Sequence, residues 1–329
     1  MKTIIEANIP YIQGLIEPYS EVEYLESEDI TPEAVRDAHA LLVRTRTRCD
    51  EALLGGSRVT FVGTATIGLD HIDLPWCAAH GIEAVNAPGC NAPAVAQWVL
   101  AVVARMMTKT PADTVLGIVG VGHVGSIVEN WARAIGFNVL RCDPPRRRAE
   151  GGDFIALNEL IARADIVTLH TPLYREGPDA TYHLVDARLI SALRPNAILL
   201  NAARGAIFHT EEVLRALSAR PDVRLAIDCW EGEPQLNEQL LRRAEIATPH
   251  IAGYSLEGKH RATSLVVSAL ARHFGLPIDL GHIDMGTASR PSLQRIAQSY
   301  DPMPDDRALR AEPTALERLR NRYPLRPEP

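Results

Sequence analysis

Residues 115–143 confine the fold of this chain more tightly than any other stretch. The apolar run VLGIVG (115–120) passes straight into Gly120-Val121-Gly122-His123-Val124-Gly125. A helical stretch, Ser126–Ile135, follows and closes at Gly136, and FNVLRCD (137–143) supplies a second strand. Alone, G-x-G-x-x-G is a weak pattern. Here it ends a strand and opens a helix inside a unit of 29 residues, close to the roughly 30 of a dinucleotide-binding βαβ. The first glycine makes the tight turn, the second lets backbone approach a pyrophosphate, and the third lets helix and strand pack closely. The helix N-terminus then faces the phosphates. Gly120, Gly122, His123, Val124 and Gly125 are therefore expected against the cofactor. Asp143, 18 residues after Gly125, stands where a carboxylate binds ribose hydroxyls, which favours NAD. Arg146, Arg147 and Arg148 follow at once and keep NADP open. The bland alternative is an α/β turn that binds no nucleotide, or a different one such as S-adenosylmethionine.

On both sides of this unit, β-rich runs alternate with helical patterns. TIIEA (3–7), EVEYL (21–25), ALLVRT (40–45), TFVGTA (60–65) and IEAVN (82–86) precede it. ADIVTLH (164–170), AILLNAARG (197–205), RLAIDCW (224–230) and EIATPH (245–250) follow. Apolar interiors with helices between them predict parallel sheets covered on both faces. Asn91, with Pro93 in the first turn, starts a helix to about Met107, and another runs from Ser255 to Phe274, ended by Gly275. Beyond it the chain is rich in Pro, Asp and Arg, with one helix expected around 312–321.

A chain of 329 residues has room for about two domains. Its formal charge, 34 − 41 = −7, is spread along the sequence and disfavours nucleic acid as a partner. Cys49, Cys77, Cys90, Cys142 and Cys229 are odd in number and contain no C-x-x-C, which fits neither a disulfide framework nor a zinc site. The start, MKTIIEANIP, has no signal-like apolar core, and the longest apolar run, 92–107, carries Gln97 and Arg105. The expectation is a cytoplasmic protein with no membrane partner.

The chemistry must come from elsewhere. Arg204, Glu233 and His250 stand at or just beyond the ends of successive strands, where open α/β sheets place their ligands. Oxidising a 2-hydroxy acid needs a cation for the carboxylate, a group that exchanges the hydroxyl proton, and a carboxylate to orient that group. Arginine, histidine and glutamate suit those tasks. Each residue alone has a bland reading: Arg-Gly as a surface turn, a glutamate facing solvent, a histidine satisfied in a loop.

NAARG (201–205), DCWEGEP (228–234) and TPHIAGYSLEG (248–258) resemble the three signatures of the D-isomer-specific 2-hydroxyacid dehydrogenases. ALLVRTRT, FVGTATIGLDHID, NAPGCNA and CDPPR are more similar to a branch acting on a phosphorylated four-carbon acid than to the phosphoglycerate or lactate branches. The resemblance implies a Rossmann NAD domain of residues 96–255 and a flavodoxin-like substrate domain of 1–95 with 256–275. It further implies a C-terminal dimerisation segment, 276–329, and hence a homodimer. It makes Arg204 and Glu233 catalytic and His250 the proton donor. Asp143, Thr171, Asp228, Gly253 and the backbone around Ala202 would contact NAD, and Thr45, Thr66 and Tyr254 the substrate. No metal is implied.

The signature usually carries Asp or Asn five residues after the arginine, where this chain has His209; that residue is expected to help cap the next helix. For a phosphate, Arg44, Arg46 and Arg48 alternate along and beyond a strand, and Arg44-Thr45 at its end is the better candidate, with Thr66 opposite. The same chemistry on another D-2-hydroxy acid, or a non-catalytic NAD-sensing scaffold, stays open.

Overall fold

The computed structural model describes residues 1–329. The chain forms two compact units, one of Met1–Asn91 with Leu256–Gly286, the other of Ala92–Ser255 with Thr287–Pro329.

The first unit carries a parallel sheet of β1 (Lys2–Glu6), β2 (Glu21–Leu25), β3 (Ala40–Val43), β4 (Phe61–Thr64) and β5 (Glu83–Val85), in the order β2-β1-β3-β4-β5. This is the flavodoxin-like order. Successive residues of a strand point to opposite faces. Ile5, Leu42 and Phe61 accordingly pack with Val266 and Leu270 of the helix Leu256–Phe274, while Ile4, Leu41 and Val62 pack with Val35, Leu54 and Cys77 on the other side. β3 stops at Val43, where Glu6 accepts hydrogen bonds from the Arg44 amide (2.7 Å) and the Thr47 hydroxyl (3.4 Å). Arg44, Arg46 and Arg48 therefore lie on a turn, and the expected period-two alignment does not exist. Arg48 is paired with Asp50 at 2.6 Å instead.

The second unit holds β6 (Val115–Val119), β7 (Asn138–Cys142), β8 (Ile166–Leu169), β9 (Ile198–Asn201), β10 (Arg224–Ile227) and β11 (Ile246–Ala247). All pair in parallel, in the order β11-β10-β9-β8-β6-β7. Phe154 adds a single parallel bridge to Arg141 on the outer side of β7. Counting it as a third strand reduced to one residue restores the Rossmann order, whose crossovers reverse direction between β6 and β8.

The tail departs from the expected single helix. It folds as Leu293–Ser299, Met303–Ala311 and Leu316–Asn321, and residues 276–286 go with the first unit while 287–329 go with the second. Helices this short are held by burial rather than propensity. Ile296 and Tyr300 enter the core with Trp98 and Val102 of the helix Ala92–Met106, and Leu309 and Leu316 join the core on the other face of the sheet. The tail also closes the edge left by two-residue β11. Asp306 accepts the Ala247 amide at 2.8 Å, and Arg310 donates to the carbonyls of Leu241 and Ala244, both at 2.7 Å. An open edge is thereby covered.

Candidate active site

The glycine turn after β6 has the shape that its sequence requires. A Cβ on Gly120 would lie 2.8 Å from the backbone of His170 and Thr171, and one on Gly125 would lie 2.1 Å from the Gly120 carbonyl oxygen. Gly122 is different: its Cβ would meet nothing within 4 Å, so the turn opens onto space at the start of the helix His123–Ile135. That helix has no side-chain cap, and its first-turn amides face a site suited to phosphate. Across the switch point, the Thr171 hydroxyl is buried without a partner. An open cradle, an uncapped helix and an orphaned hydroxyl together fit a dinucleotide. Asp143 ends β7, accepts the amides of Val121 (2.8 Å) and Arg146 (3.0 Å), and keeps lone pairs to spare. Arg146 is held by Glu150 at 2.7 Å and by the Val121 carbonyl at 2.6 Å, and Arg148 by Asp179. Two of the three arginines that kept NADP open are thus already paired.

Beyond the C-terminal ends of β9, β10 and β11 the three strand-end residues lie within one unit. His250 Nδ1 lies 2.7 Å from Glu233 Oε2, while Glu233 Oε1 accepts the Trp230 amide at 2.6 Å. With Nδ1–H on the carboxylate, Nε2 is the nitrogen left to meet a ligand. Burial alone would raise Glu233, but the His250 hydrogen bond and charge, the Trp230 amide and the Arg320 charge outweigh it and hold the carboxyl below its ordinary value. Glu233 is therefore an anion beside the imidazole.

Arg204 follows β9 in extended conformation and spends Nη1 on the Ala203 carbonyl at 2.8 Å. Its loop is docked by Asn201, fully buried, which donates to the carbonyls of Arg204 (3.0 Å) and Cys229 (3.2 Å) and accepts the Ala203 amide (3.1 Å). Gly205 touches the loop after β10 so closely that a Cβ there would fall 1.9 Å from the Trp230 carbonyl oxygen. Arg204 and Glu233 are thus fixed to each other through backbone. Ala202 is half-buried in this loop.

His250 has φ +56, a conformation few non-glycine residues adopt. The turn around it is saturated with hydrogen bonds. Thr248 accepts the Trp98 indole N–H (3.1 Å) through its hydroxyl and that of Trp230 (2.9 Å) through its carbonyl. Asp228, expected to contact NAD, is 1% exposed and also ties the turn together: it accepts the Thr248 hydroxyl (2.5 Å) and the amides of Ile251 and Ala252, both at 2.9 Å. A carboxylate at a strand end reads the same in sequence whether it serves a ligand or its own turn. Gly253 follows, and Tyr254 accepts the Nε–H of Arg320 at 3.1 Å.

In the first unit, Thr45 is exposed on the turn after β3, and Arg44 Nη1 donates to the Asn8 carbonyl at 3.2 Å. The Thr66 hydroxyl is 2.7 Å from that of Thr64.

His209 does not cap the helix Thr210–Ala219. The Thr210 amide is accepted by Glu231 Oε2 at 2.9 Å, and Glu231 Oε1 lies 2.5 Å from His183 Nε2. The imidazole of His209 lies against that of His183, with centroids 4.3 Å apart. Glu231, from a neighbouring loop, was beyond the reach of a local capping argument. Asn201 did carry a signal, a lone amide in an otherwise apolar strand. Arg320 and Arg326 carried none, because only the folded tail brings them here. Arg326, 7% exposed, donates to the carbonyls of Ile251 (3.0 Å), Ala252 (2.5 Å) and Ala94 (3.2 Å).

Comparison with known proteins agrees with this geometry. A family model described as "D-isomer specific 2-hydroxyacid dehydrogenase, NAD binding domain" matches residues 94–252. The erythronate-4-phosphate dehydrogenase of Bacteroides fragilis is 42% identical over 100% of this chain and 97% of its own length. Those of Porphyromonas gingivalis and Escherichia coli are each 41% identical over 98% of this chain, covering 92% and 91% of theirs. Among solved structures, an NAD+-bound 3-phosphoglycerate dehydrogenase of Entamoeba histolytica shares the fold, with a TM-score of 0.70 and 24% identity over 86% of this chain and 99% of that one. D-mandelate dehydrogenase of Rhodotorula graminis does so at 0.71 and 20% over 82% and 93%.

Proposed function

The chain belongs to the D-isomer-specific 2-hydroxyacid dehydrogenases, and from that premise we propose that it oxidises 4-phospho-D-erythronate at its 2-hydroxyl. The product is 2-oxo-3-hydroxy-4-phosphobutanoate, on the route to pyridoxal 5′-phosphate. The name shared by the relatives supports the substrate. The observation that carries the chemistry is the His250–Glu233 contact of 2.7 Å, with both glutamate oxygens engaged and Nε2 left for substrate.

NAD, held by the glycine turn after β6 and by Asp143, would supply the hydride acceptor for C2. The chain's own residues do the rest. His250 Nε2 takes the proton of the 2-hydroxyl as the carbonyl forms, and Glu233 stabilises the charge that the imidazole gains. Arg204 keeps guanidinium N–H groups for the substrate carboxylate and the developing oxygen. Gly120, Gly122, His123, Val124, Gly125, Asp143, Thr171, Ala202 and Gly253 would line the cofactor. Thr45, Thr66, Tyr254 and Arg44 would face the substrate, a small phosphorylated acid. No helix is long and apolar enough to cross a membrane. A cytoplasmic homodimer is the assembly proposed, on the resemblance of the tail to a dimerisation segment, and light scattering of the purified chain tests it.

The test of function is NADH formation from NAD and 4-phospho-D-erythronate, with and without a 2-oxo acid as final acceptor. His250→Ala should lower turnover by about 100- to 10,000-fold while NAD still binds. Turnover confined to another D-2-hydroxy acid would replace the substrate, and no turnover on any, with NAD bound, would favour the scaffold.

A further inference from the structure

A phosphorylated 2-hydroxy acid is anionic at both ends, and Arg204 accounts for one. We propose that Arg320, carried by the C-terminal tail, receives the phosphate at the other end, which makes the tail a determinant of substrate specificity. The inference rests on the substrate reading above.

Arg320 sits on the short helix Leu316–Asn321 and is half-buried. Its Nε donates to the Tyr254 hydroxyl at 3.1 Å, and it forms no ion pair. Other half-buried arginines of this unit do have carboxylate partners: Arg220 with Asp222 at 2.9 Å, Arg224 with Glu245 at 2.5 Å and Arg310 with Asp306 at 2.9 Å. A half-buried guanidinium with no carboxylate in direct contact keeps donors for an anion, and a bound anion would engage them. Its terminal nitrogens carry N–H groups with no protein acceptor, in the planar fork that matches phosphate oxygens.

The location is equally specific. Its hydrogen bond to the Tyr254 hydroxyl places it beside the turn that carries His250, and its charge helps to hold Glu233 low. The residue it holds, Tyr254, follows His250 by four positions on the same turn. Arg44, the cation expected from sequence to take the phosphate, already spends a terminal nitrogen on the Asn8 carbonyl.

The experiment compares kcat/KM for 4-phospho-D-erythronate and for D-erythronate in the NAD-loaded wild type, Arg320→Gln, Arg320→Lys and Arg44→Gln. Loss of a bidentate charged contact should reduce the preference for the phosphorylated acid by about 100-fold in R320Q, mainly through KM, with partial recovery in R320K. An equal loss on both acids would make Arg320 a prop for Tyr254 and overturn the proposal. So would a preference retained in R320Q and abolished in R44Q. If the wild type oxidises neither acid, the substrate reading fails by itself. The anion site is then judged by calorimetric binding of inorganic phosphate to the NAD-loaded full chain. Binding lost in R320Q sustains the site, and equal binding removes it.

Discussion

Gly205→Ala is the substitution for which the structure makes the sharpest demand. The added Cβ would lie 1.9 Å from the Trp230 carbonyl oxygen, 2.0 Å from its carbon and 2.5 Å from the Glu231 nitrogen. Carbon atoms in contact sit about 3.5–4 Å apart, so the two loops must separate by roughly 1.5 Å. All three obstructing atoms are backbone, and no side chain can swing away. Arg204 precedes the substituted residue, while Glu233 is tied to the other loop through the Trp230 amide at 2.6 Å. Separation therefore displaces Arg204, the proposed carboxylate-binding cation, from Glu233, which holds the histidine. A misplacement of about 1 Å costs on the order of 100-fold in rate, and overpacking costs about 1–3 kcal/mol of stability. Steady-state kinetics on the substrate, NAD titration and thermal melting together separate the effects. The expected result is kcat/KM down by about 100-fold or more, a lowered Tm, and NAD affinity within a few-fold of wild type, because the glycine turn after β6 is untouched. A variant with kcat/KM within about threefold of wild type and an unchanged Tm would refute the claim that backbone contact between these loops sets the site.

Gly122→Ala should behave in the opposite way, since its Cβ meets no atom within 4 Å. The fold should persist while NAD affinity drops by about tenfold or more in fluorescence titration, the methyl occupying space meant for phosphate. Arg326→Gln should destabilise the second unit by about 3–5 kcal/mol in urea titration, because it leaves buried carbonyls of Ile251, Ala252 and Ala94 short of donors. His170 predicts a pH effect. Burial holds its imidazole down to about 3, and although the residue keeps a partly exposed face, Nδ1 is enclosed without a partner. The unfolded chain binds the extra proton below about 6.5, so this contribution is intact above that pH and is lost as pH falls toward 3. The loss is at most about 2 kcal/mol between pH 7 and 5, and His170→Gln should flatten the acid limb of the stability curve by that amount. An unchanged limb would show that the histidine protonates freely in the folded state.

How much of this was legible in the sequence depends on whether a feature is local. The parallel strands were, because a strand buried on both faces must be an apolar run such as VLGIV or IVTL. The strand that Phe154 reduces to one bridge was not, since a single residue has no period. Two of the three tail helices stayed hidden for a related reason: Leu293–Ser299 and Met303–Ala311 have 7 and 9 residues and owe their existence to the surfaces that cover them, whereas Leu316–Asn321 falls within the helix expected around 312–321. In the site, Arg204, Glu233 and His250 stood out as polar groups ending apolar runs. Asp228 stood out in the same way, and what the sequence did not show is that its carboxylate also closes a turn. Arg44, Arg46 and Arg48 looked like a row because two-residue spacing was extended past Val43, where the strand had already stopped.

The tail matters to the chemistry through one short segment of backbone. Asp228 takes the amides of Ile251 and Ala252, and Arg326 gives hydrogen bonds to the carbonyls of the same two residues. The chain leaving His250 is thus gripped from both sides, by the end of β10 and by the C-terminal tail. A histidine held at φ +56 is strained by about 1–3 kcal/mol and persists only where its surroundings over-determine it. The Glu233 contact fixes the imidazole, but a ring can be aimed only if its own backbone is fixed first. Arg326 lies 75 positions along the chain from Ile251, so no local reading of TPHIAGYS could have supplied that restraint. The geometry of His250, the proposed proton-transferring residue, therefore depends on a segment that contributes no strand to either sheet and, in Arg326, no group to the proposed reaction.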